Sequence, residues 1–190
     1  MEEQKYINLY TESNPNPNSL KFVANFMLVP EGKSFDYRTP ETAEEAPLAL
    51  KLFEFPYVKG VFYMSNFVTV TKDENADWYE IKSELQETIK TYLESGEPVL
   101  KISEDQVTDN IEESDLETKI KNILDEYIKP AVEMDGGAIS FHSFEEGKVK
   151  VLLQGSCSGC PSSTITLKSG IENLLKRMVP EVEEVEAEGI

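Results

Sequence analysis

Residues 148–178 read KVKVLLQGSCSGCPSSTITLKSGIENLLKRM, and within them the chain passes from one structural period to another. Val149, Val151 and Leu153 alternate, as in a strand that shows one face to a core. Leu167, Ile171, Leu174, Leu175 and Met178 recur at the spacing of one helix face. Between the two runs stands a connection of small residues, Gly155, Ser156, Cys157, Ser158, Gly159 and Cys160, followed by Pro161, which suits the first turn of a helix. Cys157 and Cys160 are the only cysteines among 190 residues.

Upstream, AISFHSF pairs with KVKVLLQ as a hairpin across EEGK, where Gly147 suits a position of positive φ. Before it, Ser114 and Glu117 form a capping box that starts a helix. Leu116, Ile120, Ile123, Leu124, Tyr127 and Ala131 make its apolar stripe, interrupted at Pro130. Gly136 and Gly137 read as the stop of that helix. Downstream, Pro180 ends the second helix and EVEEVEA is a candidate last strand.

The first half has a different order. KYINLY is a candidate strand, TESNPNPNS a loop rich in turn residues, and LKFVANFMLV a longer strand-like run. EEAPLALKLFEF predicts a short helix, and VKGVFYMSNFVTVTK a hairpin turning at Ser65 and Asn66. From Asp77, residues Trp78, Ile81, Leu85, Ile89, Tyr92 and Leu93 mark a long helix that ends at Gly96. EPVLKISEDQVTDNIEES is acidic and aperiodic. The resulting fold class is α+β, with one small domain over 1–96, an acidic linker over 97–113 and a second small domain over 114–190.

Composition narrows the function classes. Acids outnumber bases 36 to 18, a formal net charge of -18. Such a surface repels phosphate backbones and anionic headgroups, so no nucleic acid and no membrane partner is expected. No stretch approaches the ~18 apolar residues of a membrane helix. MEEQKYINLY has neither the basic and apolar regions of a secretory signal nor the arginines of a transit peptide, which predicts a cytoplasmic chain. Thiols stay reduced there, and a close pair is more often metal-binding or redox-active than a structural staple.

Two thiolates three residues apart can grip adjacent edges of one metal centre. The amides of the loop and the following helix N-terminus favour the thiolate form. Zinc and iron–sulfur centres usually want four ligands, and nearby ones are scarce: alternation puts the sole histidine, His142, opposite Ile139 and Phe141 on its strand. Two such loops brought to a two-fold axis supply four thiolates, enough for a bridging [4Fe–4S] cluster in a homodimer. Two rivals stay open: a thiol–disulfide oxidoreductase and a zinc-bridged interaction protein. Against the oxidoreductase, the order helix, hairpin, helix lacks the βαβ setting of thioredoxin-like C-x-x-C motifs. Asp135 is read as part of the helix stop and not as a ligand. The first half offers no nucleophile–base pair, metal-ligand cluster or phosphate loop.

VEMDGGAISFH and VLLQGSCSGCPSSTITLKSGIENLLKRMVPEVEEV resemble the C-terminal domain of NifU-like proteins, the Nfu family. ESNPNPNSLKF, APLALKLFEFPYVKGVF and FVTVTK with Trp78 resemble the N-terminal domain of many Nfu proteins. The resemblance leaves out VPEGKSFDYRTPETAEE. It implies an α+β fold in both halves and a non-enzymatic iron–sulfur carrier or scaffold. Cys157 and Cys160 would hold a cluster shared between two protomers, received from an upstream donor and passed to apo-proteins.

Overall fold

The computed structural model describes residues 6–101, 114–158 and 161–189, with the side chains of 161–163 excepted. The chain divides into two compact units, Met1–Asp105 and Gln106–Ile190. Both mix helices with sheet, so the fold class is α+β.

In the first unit, β1 (Leu9–Ser13), β2 (Ser19–Ala24), β3 (Ser34–Tyr37), β4 (Val58–Met64) and β5 (Phe67–Lys72) form one antiparallel sheet in the order β1-β2-β5-β4-β3. A 3-10 turn (Pro40–Ala43) and α1 (Pro47–Phe53) connect β3 to β4, and α2 (Trp78–Glu94) follows β5. One sheet face carries Phe22, Val61, Tyr63, Val68 and Val70, which share a core with Leu48 and Leu52 of α1 and Leu85 and Ile89 of α2. Each such side chain stabilises the fold by about 1.5–3 kcal/mol relative to exposure. The alternate positions Val23, Phe62, Met64, Phe67 and Thr69 are buried as well.

The local signals act as their chemistry requires. The β4–β5 hairpin turns through Ser65 and Asn66, with Ser65 at φ 47. The Asp77 carboxylate accepts the Tyr79 amide at 2.9 Å and caps α2, and Gly96 follows it at φ 74. Trp78 is half-buried against the core, and its indole donates to the Pro17 carbonyl at 2.9 Å, pinning the NPNPNS loop.

Three expectations for this half need correction, and one stretch given no reading acquires structure. The first strand is Leu9–Ser13, later than KYINLY, because its ladder to Leu20–Ala24 sets the span and an edge strand tolerates Thr11, Glu12 and Ser13. The second strand stops at Ala24, where the Asn25 side chain donates to the Tyr6 carbonyl and accepts the Asn8 amide, both at 3.0 Å. VPEGKSFDYRTPETAEE contains the edge strand β3 and the 3-10 turn. The linker does not begin at residue 97: Val99 and Leu100 pack on the first core, and the Lys101 amide donates to the Glu45 carbonyl at 2.7 Å. The rest of that acidic segment, 102–113, lies outside the described residues.

In the second unit, α3 (Asp115–Ile123) starts from the capping box: the Glu117 amide donates to the Ser114 hydroxyl at 3.2 Å and the Ser114 amide to the Glu117 carboxylate at 3.0 Å. A wide π turn (Leu124–Ile128) then leads into α4 (Lys129–Met134). Pro130 cannot donate to the residue four before it and crowds that carbonyl, and the widened turn absorbs both problems. The extra residue per turn also rotates the apolar stripe. Ile128 and Val132 face the core in place of the expected Tyr127 and Ala131, which are exposed.

β6 (Gly137–Glu145) and β7 (Lys148–Gly155) form the expected hairpin, turning at Glu146 (φ 49) and Gly147 (φ 81). α5 (Pro161–Met178) carries the chain over to β8 (Glu184–Gly189), which lies parallel to β7 in the order β6-β7-β8. Val149, Val151 and Leu153 meet Ile120, Ile171, Leu175 and Val185 in one core. β7, α5 and β8 are a βαβ unit, so the objection that the cysteine loop lacks that setting does not hold. The hairpin pattern hid it, because β8 alternates three glutamates with its few apolar residues and pairs only after an 18-residue helix.

Candidate functional site

The cysteine loop occupies the connection from β7 to α5, at the carboxyl end of the central strand. Gly155, the last residue of β7, has φ 66, a conformation that bends the chain off the sheet and that glycine adopts without strain. Ser158 returns to it, with amide and hydroxyl donating to the Gly155 carbonyl at 3.2 and 2.9 Å. Pro161 opens α5, so the loop discharges directly into a helix N-terminus.

Cys157 is held from beneath by the start of β6. Its side chain is 7% exposed and belongs to the second core. Ser156 fixes its neighbour: its hydroxyl donates to the Asp135 carbonyl and its amide to the Gly136 carbonyl at 3.3 Å. The Ser156 oxygen lies 3.9 Å from the Cys157 sulfur. Gly136, at φ 79, ends α4 as expected.

Gly137 has a second reason to be glycine. It faces Gly155 across the hairpin, and a Cβ built on it would lie 2.6 Å from the Gln154 carbonyl oxygen and 2.8 Å from the Cys157 sulfur. The thiol therefore occupies the space that any side chain at position 137 would fill. Sequence reading assigned both glycines to the helix stop. One left-handed glycine is enough for that stop, and the surplus second one was the available signal for a close approach.

Cys160 and Gly159 lie outside the described residues. His142 is exposed, at the bulge where the β6–β7 register slips between Phe141 and Ser143. Asp135 contributes its backbone carbonyl to the loop. Among the described residues, no group of three or more His, Cys, Asp or Glu side chains gathers where a metal ion could be held. None of the helices in those residues is long and apolar enough to cross a membrane.

Two family profiles match the chain, scaffold protein Nfu/NifU N terminal over residues 9–96 and NifU-like domain over residues 120–186. The chain belongs to the Nfu/NifU family. Over 180 residues it is 44% identical to the mitochondrial NFU1 iron-sulfur cluster scaffold homolog of Drosophila erecta, covering 94% of this chain and 64% of that protein. The corresponding protein of Drosophila grimshawi is 43% identical, with 94% of this chain and 60% of that one covered. The chain thus spans less than two thirds of the length of these Nfu relatives. A solution NMR structure of a NifU-like protein from Saccharomyces cerevisiae is 29% identical over 54% of this chain and 92% of its own, with a TM-score of 0.49.

The relatives correct one expectation. They are named as mitochondrial, which overturns the assignment of this chain to the cytoplasm. Compartment addresses are read from leaders, and the composition of folded Nfu domains is no substitute for one.

Proposed function

We propose that the chain binds an iron–sulfur cluster through Cys157 and Cys160, as a [4Fe–4S] cluster shared between two copies, and passes it to apo-proteins. The cluster is cargo, received from an upstream donor. Membership of an iron–sulfur scaffold family supports the class of cargo. The observation that carries the finer reading is the ligand count. A chain with two thiols in all, both in one loop, cannot by itself complete a four-thiolate site.

That shortage also supplies the mechanism of release. A client's thiolate attacks one iron and displaces a thiolate of one loop, which leaves without any change in oxidation state. Repetition at the remaining irons moves the cluster whole. No third or fourth ligand from the same chain holds it back. The buried seat of Cys157 against Gly137 keeps that thiol in place after the cluster has left. The first unit serves client docking or regulation in this reading, and the chain needs no catalytic activity of its own.

A dithiol oxidoreductase is the second reading, favoured by the βαβ setting of the loop. Anaerobic reconstitution with iron and sulfide separates the two. The carrier takes up iron and acid-labile sulfide and transfers both to an apo-ferredoxin. Uptake of neither, together with turnover in a disulfide-reduction assay, establishes the oxidoreductase. Zinc bound without sulfide establishes a zinc-bridged protein. For the first unit, retention of apo-proteins on the immobilised full chain but not on a variant with an altered NPNPNS loop supports docking, and equal retention contradicts it.

A further inference from the structure

Cys157 stands in the loop that offers it as a ligand, and yet it is shut in. It belongs to the second core at 7% exposure, and Ser156 and Ser158 on either side are 2% and 5% exposed. A connection of small polar residues between a strand and a helix ordinarily runs over the surface. Here three consecutive residues of one are buried. Gly137 leaves open the volume that the thiol fills: a Cβ on it would lie 2.8 Å from the Cys157 sulfur and 3.2 Å from the Cys157 Cβ. The backbone that carries the thiol is tied on both sides. Ser156 donates from its hydroxyl to the Asp135 carbonyl and from its amide to the Gly136 carbonyl, and Ser158 donates from amide and hydroxyl to the Gly155 carbonyl.

A sulfur in that seat cannot serve a cluster. The metal must touch the sulfur itself, and an iron that already carries sulfide is bulkier than the water that this seat nearly excludes. The same exclusion keeps dissolved electrophiles and oxidants away, because the reactivity of a cysteine follows its exposure. What holds the seat shut is one close packing contact and a few neutral hydrogen bonds, which a metal–thiolate bond outweighs.

We propose that the Gly137 seat is a resting position of the Cys157 thiol: the sulfur is sheltered there while the chain carries no cluster, and leaves it to become a ligand. The departure rests on the reading given under Proposed function, whereas the shelter stands without it. Each released cluster returns the thiol to a place where it stays unmodified until the next arrives. Gly137 makes the room and Ser156 is the latch, so both are positioning residues that act through Cys157.

The test of the shelter uses the full chain as Cys160→Ser, in which Cys157 is the sole thiol. Alkylation of the cluster-free chain by iodoacetamide is followed by intact mass from about pH 7 to pH 10, across the ordinary thiol range. The folded chain is expected to react about ten-fold or more slowly than the same chain unfolded in guanidinium, at every pH. Equal rates overturn the shelter, and so does a gap that closes at high pH, which would reflect the proton and not access. On the same background, Gly137→Ala fills the seat and Ser156→Ala removes the hydroxyl latch. Each is expected to react about three-fold or more faster than its folded parent, once thermal unfolding has shown that it is folded. If Gly137→Ala does not fold, Ser156→Ala carries the comparison. Unchanged rates in the folded variants overturn the assignment of the seat.

The departure is tested with Cys160 restored. The seat competes with iron for the sulfur, so a loosened seat strengthens the hold on the cluster. After anaerobic reconstitution, Ser156→Ala is expected to retain more iron and sulfide than the wild type at the same concentration of a ferrous chelator. Equal or weaker retention, in a variant that alkylates faster, overturns the departure. Gly137→Ala does not serve here, because its methyl also presses on the Gln154 carbonyl and displaces the loop itself. If the wild type takes up no cluster, the reading under Proposed function fails and the departure with it, while the alkylation rates still decide the shelter.

Discussion

The two units solve the same problem, a small sheet covered by helices, in ways that leave very different loops. In the first, every strand pairing is antiparallel, and β4 and β5 are joined by two residues. In the second, β6 and β7 form a hairpin but β7 and β8 are parallel. A parallel neighbour can be reached only by a crossover, which obliges the chain to leave the carboxyl end of β7, turn and enter a helix. The thiols stand at that obligatory exit. A hairpin turn of two residues has no room for a pair of ligands, whereas a crossover loop can carry a ligand pair and a helix N-terminus together.

The comparison is broken most directly at the ligands. Replacing Cys157 or Cys160 by Ser is expected to abolish iron and sulfide retention, with the first unit's fold unchanged by amide exchange. A variant that keeps full cluster content would show that the thiols are not the site.

The glycines sharpen it next. Gly137→Ala forces a methyl against the Gln154 carbonyl and the Cys157 sulfur, at an expected cost of about 3 kcal/mol with reduced cluster loading. Gly96→Ala in the first unit meets nothing within 4 Å and carries only the left-handed strain, about 1 kcal/mol. Chemical denaturation of the two variants measures the contrast, and equal costs would contradict the close packing at Gly137. Comparable to Gly96→Ala, Ser114→Ala removes the capping box of α3 and is expected to cost about 1 kcal/mol, read from the same denaturation curves.

The smallest effect is one of pH. Glu172 bonds Lys176 at 2.7 Å and accepts the Val185 amide at 3.2 Å, and these contacts hold its carboxyl below the usual carboxylate range. A depressed pKa in the folded state gives stability that is full above the unfolded pKa and is lost as pH falls through the folded one. The docking of β8 on α5 should therefore loosen only as pH falls below about 4.3, where an ordinary glutamate is already half protonated. Glu172→Gln should flatten that acid response. Amide exchange at Val185 across pH 3 to 6 checks it, and a response identical in both proteins would contradict the assignment.

Much of this molecule is legible in its sequence because local chemistry and tertiary demand agree. The Ser114–Glu117 box, the Asp77 cap, the turns at Ser65 and Gly147 and the stripe of α5 all lie where their residue types place them. What escapes reading depends on partners distant in the chain. β1 is set by its ladder to β2. The inward turn of Ile128 and Val132 follows from a widened turn before Pro130, and the role of Gly137 from a sulfur 20 residues later. β8 is recognisable as a strand, but its parallel alignment to β7 is a property of the crossover and leaves no mark on period or composition. For the site, the thiols and their small-residue loop are plain in the sequence. The seat of Cys157 against Gly137 of β6 is not.

The central claim is that half a ligand set on each of two chains holds one cluster. Mass in solution after anaerobic reconstitution, measured together with iron and sulfide, tests it most directly. The account predicts a species of two chains with about four irons and four sulfides, which returns to separate apo chains when a client takes the cluster. A single chain carrying a complete cluster, or a dimer unchanged when iron and sulfide are removed, would contradict it.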